Sequence, residues 1–158
     1  MSGIYPEKGD TMKIMIFKAN VKDIPILEVL QKELYGEWFD SHHVDITQAV
    51  LNGRVWIMRE QSMIIGYQLC ELFGPTEKYF PNSIFLSELF VIPNHRKQGI
   101  GSRLIQTALN NPWPSEYGYF SLTYDENELN LKSYYQKFRI TEYGKTDTGN
   151  MMMKRFRY

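Results

Sequence analysis

Arg96, Lys97, Gln98, Gly99, Ile100, Gly101 and Ser102 form a basic stretch with two glycines, set between an apolar run, Ile84 to Ile92, and a segment where Leu104, Ile105 and Ala108 recur at helical spacing. The chemistry such a stretch supports is the holding of an anion. A helix start leaves about four amide NH groups without intrahelical partners and carries partial positive charge, which suits a phosphate or pyrophosphate. Gly99 and Gly101 lack a β-carbon, so a ligand can approach the main chain closely. Arg96, Lys97 and Arg103 add mobile positive charge. Two phosphate loops fail on the residues themselves. A dinucleotide fingerprint needs a third glycine where this chain has Leu104, and a Walker A loop needs Lys-Ser/Thr directly after the last glycine, where Ser102-Arg103 stands.

A second chemical signal is Glu88, the only acid in the apolar run Ile84 to Ile92. A third is the cluster Glu33, Tyr35, Glu37, Trp38, Phe39 and Asp40, whose acids and aromatic rings suit a cationic amine through ionic and cation-π contacts. His42-His43 with Asp45 lacks a second cluster at ligand spacing, so no metal is assigned. Cys70, the one cysteine, lies in the apolar run Met63 to Phe73 and reads as a small buried hydrophobe.

These residues need a framework. At 158 residues, 43% hydrophobic and 15% aromatic, the chain fits a single globular domain. Its 18 basic and 18 acidic residues cancel, which disfavours a nucleic-acid binder; the basic Lys154-Arg155-Phe156-Arg157-Tyr158 is too short to set that class. With no signal-peptide core and no apolar run of about 18 residues, a cytoplasmic protein without membrane association is expected. Met1 to Thr11 reads as a loose extension, and the domain as residues 12–158. Met12 to Ala19 reads as a strand, Asp23 to Gly36 and Ser41 to Leu51 as helices, and Val55 to Arg59 with Met63 to Phe73 as a hairpin. The strand at Ile84 and the helix from Gly101 follow. Then come a strand from Tyr117 to Tyr124, a helix from about Glu126 to Phe138, and final strands Ile140 to Gly144 and Asn150 to Phe156 around the turn Asp147-Thr148-Gly149. The last strands are a candidate homodimer surface.

The arrangement Arg96-x-x-Gly99-x-Gly101, preceded by Leu89-Phe90-Val91-Ile92-Pro93, resembles the acetyl-CoA loop of the Gcn5-related N-acetyltransferases. Tyr135-Gln-Lys-Phe-Arg-Ile has the spacing of the family's Tyr-x-x-x-Gly-Phe, with Arg139 at the glycine position; starting from Tyr134 would fit worse. The resemblance covers residues 84–143 closely and the earlier part by element order. It implies an α/β (α+β) fold, a mixed and mostly antiparallel sheet of about seven strands, splayed into a V-shaped cofactor cleft, with about four helices. It implies acetyl-CoA as co-substrate, held by Leu89, Phe90, Val91, the loop Arg96, Lys97, Gln98, Gly99, Ile100, Gly101 and Ser102, and Tyr135. The family's asparagine position is Glu128 here, with Asn127 and Asn130 as the flanking candidates.

Transfer of acetyl from a thioester to an amine needs a neutral amine, a briefly held oxyanion and a released thiolate. A lysine-type amine with a pKa near 10.4 is neutral in only about one molecule in a thousand at pH 7. The resemblance implies Glu88 as base, directly or through water, a main-chain NH near Val91 as oxyanion donor, and Tyr135 as acid for the thiolate. Tyr35, Trp38, Asp40 and Glu88 are the expected acceptor contacts. The expected acceptor is a small cationic amine such as a polyamine, an amino compound or an aminoglycoside. The alternatives are a protein N-terminus or lysine, and a non-catalytic CoA-binding sensor.

Overall fold

Hydrophobic periodicity builds one seven-stranded mixed sheet, ordered β1-β2-β3-β4-β5-β7-β6. The computed structural model describes residues 14–157; the expected extension over residues 1–11 lies outside them. The strands are β1 (Ile14–Lys18), β2 (Val55–Glu60), β3 (Met63–Phe73), β4 (Ser83–Val91), β5 (Tyr119–Tyr124), β6 (Thr141–Lys145) and β7 (Met151–Phe156). Among the described residues four helices longer than a single turn accompany them: α1 (Ile24–Tyr35), α2 (Ile46–Leu51), α3 (Ile100–Asn110) and α4 (Leu131–Gln136). The described residues divide into two compact units, 14–69 with 88–108, and 70–87 with 109–157.

In the first unit β1 pairs antiparallel with β2, Ile14 opposite Glu60 and Lys18 opposite Trp56, and β2 pairs with β3 across a turn where Gln61 takes φ 56°. Asn20 and Asp23 form a capping box ahead of α1, Asn20 accepting from Lys22 N and Asp23 from Asn20 N, each at 2.9 Å. Pro25 sits in the first turn of α1, where a missing NH costs nothing. Leu27 and Leu30 of α1 and Ile46, Ala49 and Val50 of α2 bury against Ile57, Tyr67 and Leu69 of the sheet. Burying a Leu or Ile side chain stabilises by about 2 kcal/mol, so this cluster fixes where α1 lies.

The expected continuous helix over residues 41–51 is two pieces, a single α-helical turn at Phe39–His42 and then α2. The break is Asp45, whose side chain caps α2 by accepting from Gln48 N at 3.2 Å. Leu104, Ile105 and Ala108 of α3 are fully buried. Gly66 of β3 makes a close approach possible: a β-carbon there would lie 2.8 Å from Phe90 O and 3.4 Å from the Leu104 side chain.

In the second unit β5 pairs antiparallel with β7, Tyr119 opposite Phe156 and Tyr124 opposite Met151, and β7 pairs with β6. The parallel ladder of β4 with β5 is three pairs long and ends at Phe85 opposite Ser121. Arg157 ties the end of β7 down by donating to Trp113 O, Pro114 O and Tyr117 O at 2.8, 2.7 and 2.6 Å. The helix expected from Glu126 is shorter than its pattern. Asp125 holds residues 125–128 in a turn, its side chain accepting from Asn127 N and its carbonyl from Glu128 N, so α4 starts only at Leu131.

Candidate active site

The loop after β4 is built as a concave run of main chain. Pro93–His95 form a 3-10 turn, Lys97 and Gly99 take φ 63° and 79°, and the first helical bond of α3 runs from Arg103 N to Gly99 O at 3.1 Å. The amides ahead of that bond belong to the open N-terminal end of the helix. Nothing lies within 4 Å of a β-carbon built on Gly99, so the main chain is approachable there. Arg96, Lys97, Gln98 and Gly99 are exposed, Gly101 and Ser102 are half-buried, and the Ile100 side chain is buried, leaving that residue its backbone to offer. Arg96 donates Nε to Val91 O at 2.8 Å and lies 5.3 Å from the Phe90 ring, while His95 Nε2 meets Glu60 Oε1 at 3.1 Å. These contacts fix the loop to β4 and to the end of β2. An open glycine, an unfinished helix start and two exposed cations suit a diphosphate. Leu89 and Val91 are half-buried and Phe90 is buried.

In the same unit Glu88 is 2% exposed. Its Oε1 accepts from Gln31 Nε2 at 2.9 Å and Tyr67 Oη at 2.9 Å, and its Oε2 from Tyr35 Oη at 2.6 Å, Val44 N at 3.1 Å and Gln31 Nε2 at 3.2 Å. Every one of these donors is neutral. Burial, then the charge of Glu88, pushes the Tyr67 phenol far above its ordinary pKa, so Tyr67 stays a donor. Gln31 is also held to Val44 O at 3.0 Å, while its own Oε1 is buried without a hydrogen-bond partner. The sequence reading missed Gln31 and Tyr67. A signal existed for the first: Gln31 stands four residues from Leu27 on the buried stripe of α1, where a polar side chain needs a polar counterpart.

Of the side chains that donate to Glu88, Gln31 and Tyr67 are buried and Tyr35 is half-buried. With Leu34, Trp38 and His42 it lines a pocket of about 330 Å³. Trp38 is 59% exposed and meets the His42 ring edge-on at 5.5 Å. Of the expected acceptor contacts, Tyr35 and Trp38 share this pocket and Glu88 lies behind Tyr35; Asp40 is exposed and outside the lining.

In the second unit Tyr135 is half-buried, and burial, with a smaller contribution from Tyr134, raises its pKa to about 12. Arg139 adopts φ 61°, the left-handed conformation that a glycine supplies most cheaply. Ile140 N bonds to Tyr135 O at 3.4 Å and Arg139 N to Gln136 O at 2.9 Å, the paired closure of a Schellman end. Arg139 therefore stands where the backbone conformation is one that suits glycine. Asn127 and Asn130 are exposed; Asn130 occupies the N-cap of α4 without a side-chain cap bond. Among the described residues no group of three His, Cys, Asp or Glu side chains stands ready for a metal, and no helix is long and apolar enough to cross a membrane.

Similarity to known proteins agrees with this architecture. An N-acetyltransferase from Staphylococcus aureus Mu50 superposes with TM-score 0.73 at 16% identity, covering 92% of this chain and 99% of that one. The PaiA N-acetyltransferase of Thermoplasma acidophilum, in complex with coenzyme A, gives 0.70 at 17% identity over 90% and 98%. Arabidopsis thaliana Naa50, in complex with the bisubstrate analogue CoA-Ac-MVNAL, gives 0.68 at 17% identity over 90% and 98%. No curated protein matches the chain by sequence. The profile of the acetyltransferase (GNAT) domain matches residues 51–138, from the end of α2 through α4, and the chain belongs to that family.

Proposed function

We propose that this acetyltransferase moves the acetyl group of acetyl-CoA onto the primary amine of a small molecule by direct attack. The observation that carries the proposal is the pocket at Tyr35, whose hydroxyl joins it to the buried Glu88 carboxylate. Arg96, Lys97 and the amides from Gln98 to Ser102 hold the diphosphate end of acetyl-CoA, which supplies the activated acetyl group. Leu89, Phe90 and Val91 present the main chain to its pantetheine arm, and Asn127 and Asn130 are the candidate asparagine contacts.

Glu88 serves as the final base. Its five hydrogen bonds give a carboxylate with no compensating cation, so accepting a proton breaks no ion pair. Tyr135 assists the departing thiolate as a hydrogen-bond donor. With its pKa near 12, full proton transfer to a thiolate of ordinary pKa 8.5 is uphill by about 5 kcal/mol, whereas a hydrogen bond stabilises the sulfur at once. Leu34, Tyr35, Trp38 and His42 include no carboxylate, which favours an acceptor with one amine on an apolar or aromatic body over a polycation. Trp38 packs on that body.

A second reading is a peptide amine, favoured by the peptide-bearing analogue in the Arabidopsis relative. The test is acetyl-CoA-dependent thiol release with 2-phenylethylamine, spermidine and a short peptide with a free N-terminus. Fastest release with phenylethylamine is expected. Release with the peptide alone selects the second reading, and release with none, by protein that binds acetyl-CoA in calorimetry, returns the chain to a CoA-binding sensor.

A further inference from the structure

We infer that Tyr35 is a catalytic residue that relays the acceptor amine's proton to Glu88. The inference rests on the acetyl-transfer reading above and adds the route by which a base with 2% exposure is reached. Of the four groups that hold Glu88, Gln31 and Tyr67 are buried, and the Val44 contribution is a backbone NH that cannot give up its proton. Tyr35 alone among them lines the 330 Å³ pocket, and its 2.6 Å bond to Oε2 is the shortest in the cage. A phenol oxygen both donates and accepts, so one atom can receive a proton from the pocket while passing its own inward.

The step balances. As the nitrogen of the neutral amine bonds to the acetyl carbon, the carbonyl π pair moves to oxygen and on its return breaks the C–S bond, CoA leaving as the thiolate. An N–H bond breaks, its proton going to Tyr35 Oη and its electron pair staying on nitrogen. The original Tyr35 proton moves to Glu88 Oε2. Tyr35 ends neutral and Glu88 carries the proton. Gln31 and Tyr67 keep the carboxylate turned toward Tyr35 throughout.

The test compares Tyr35→Phe with Tyr67→Phe, each removing one hydroxyl from the same carboxylate, in thiol release with saturating acetyl-CoA and the amine most active with wild type. Tyr35→Phe is expected to lower kcat about 100-fold, with acceptor KM little changed and the solvent deuterium isotope effect altered. Tyr67→Phe is expected to lower kcat only a few-fold and to leave the isotope effect intact. Thermal melts identify any variant that loses its fold, and Tyr35→Trp, which restores a donor to the site, provides a second reading of the same position. The inference is overturned if Tyr35→Phe keeps kcat within about threefold of wild type, or if both Phe variants lose it equally. It falls together with the acetyl-transfer reading only if wild type, while binding acetyl-CoA, releases no thiol with any of the three amines.

Discussion

Asp23 and Glu88 are both acids with almost no exposure, 3% and 2%, and their surroundings differ in kind. Asp23 is paired with the Arg59 guanidinium and also accepts from Asn20 N, so a full positive charge and a helix start hold it. Glu88 is held by two phenols, an amide side chain and a backbone NH, with no cation in its cage. A cation fixes the charge of the acid beside it, because a proton arriving there strands the partner. Neutral donors stabilise an anion while leaving it able to take a proton. The first arrangement belongs to a brace; the second supports the role of base proposed for Glu88.

Glu88→Gln gives the largest expected effect, a loss of about 100-fold in amine-dependent turnover. Its NH2 would also face donors only, so the melting temperature should fall as well; unchanged turnover would make Glu88 a second brace. Asp23→Asn should do the reverse, costing about 3 kcal/mol in denaturant unfolding with turnover per folded molecule retained. A variant as stable as wild type would dissolve the contrast from the other side.

Tyr135 extends the comparison to a group whose charge is kept off by burial. Its pKa is near 12 when folded and near 10 when unfolded, so between those values the unfolded chain loses the proton first and stability falls as pH rises. Over that window the advantage of wild type over Tyr135→Phe should shrink by about 2 kcal/mol in chemical denaturation, and a constant difference would remove the shift. The smallest effect belongs to Arg139→Gly. Relieving a left-handed non-glycine residue should raise stability by about 1 kcal/mol, measured by the same denaturation.

The order of strands and helices was legible because most β elements are apolar runs with Gly, Pro, Asn or Asp close by, although β2 turns through Gln61-Ser62 and β6 is largely polar. The strand, the glycine-bearing loop and the helix over residues 83–110 were legible because they follow one another directly along the chain. Two helix boundaries were not. Asp45 and Asp125 each bond to nearby backbone NH groups, and that competition outweighs the helical periodicity around them. The cage around Glu88 was illegible for another reason: Gln31 is 57 residues away in sequence and Tyr67 is 21, and only packing of α1 on the sheet brings them together. Asp40 was placed with Trp38 by sequence proximity, but the turn of helix at Phe39–His42 directs the two residues differently, and His42 takes the place in the pocket lining.

Gly66 sets a limit on how this sequence can vary. The space a methyl group would occupy at position 66 is already taken by the carbonyl of Phe90, one residue before the main chain that leads into the anion loop. Replacing it with alanine therefore displaces a backbone, which has no alternative rotamer to adopt. In a library randomised at every position, 66 is expected to survive as glycine alone, its substitutions surfacing as lost acetyl transfer.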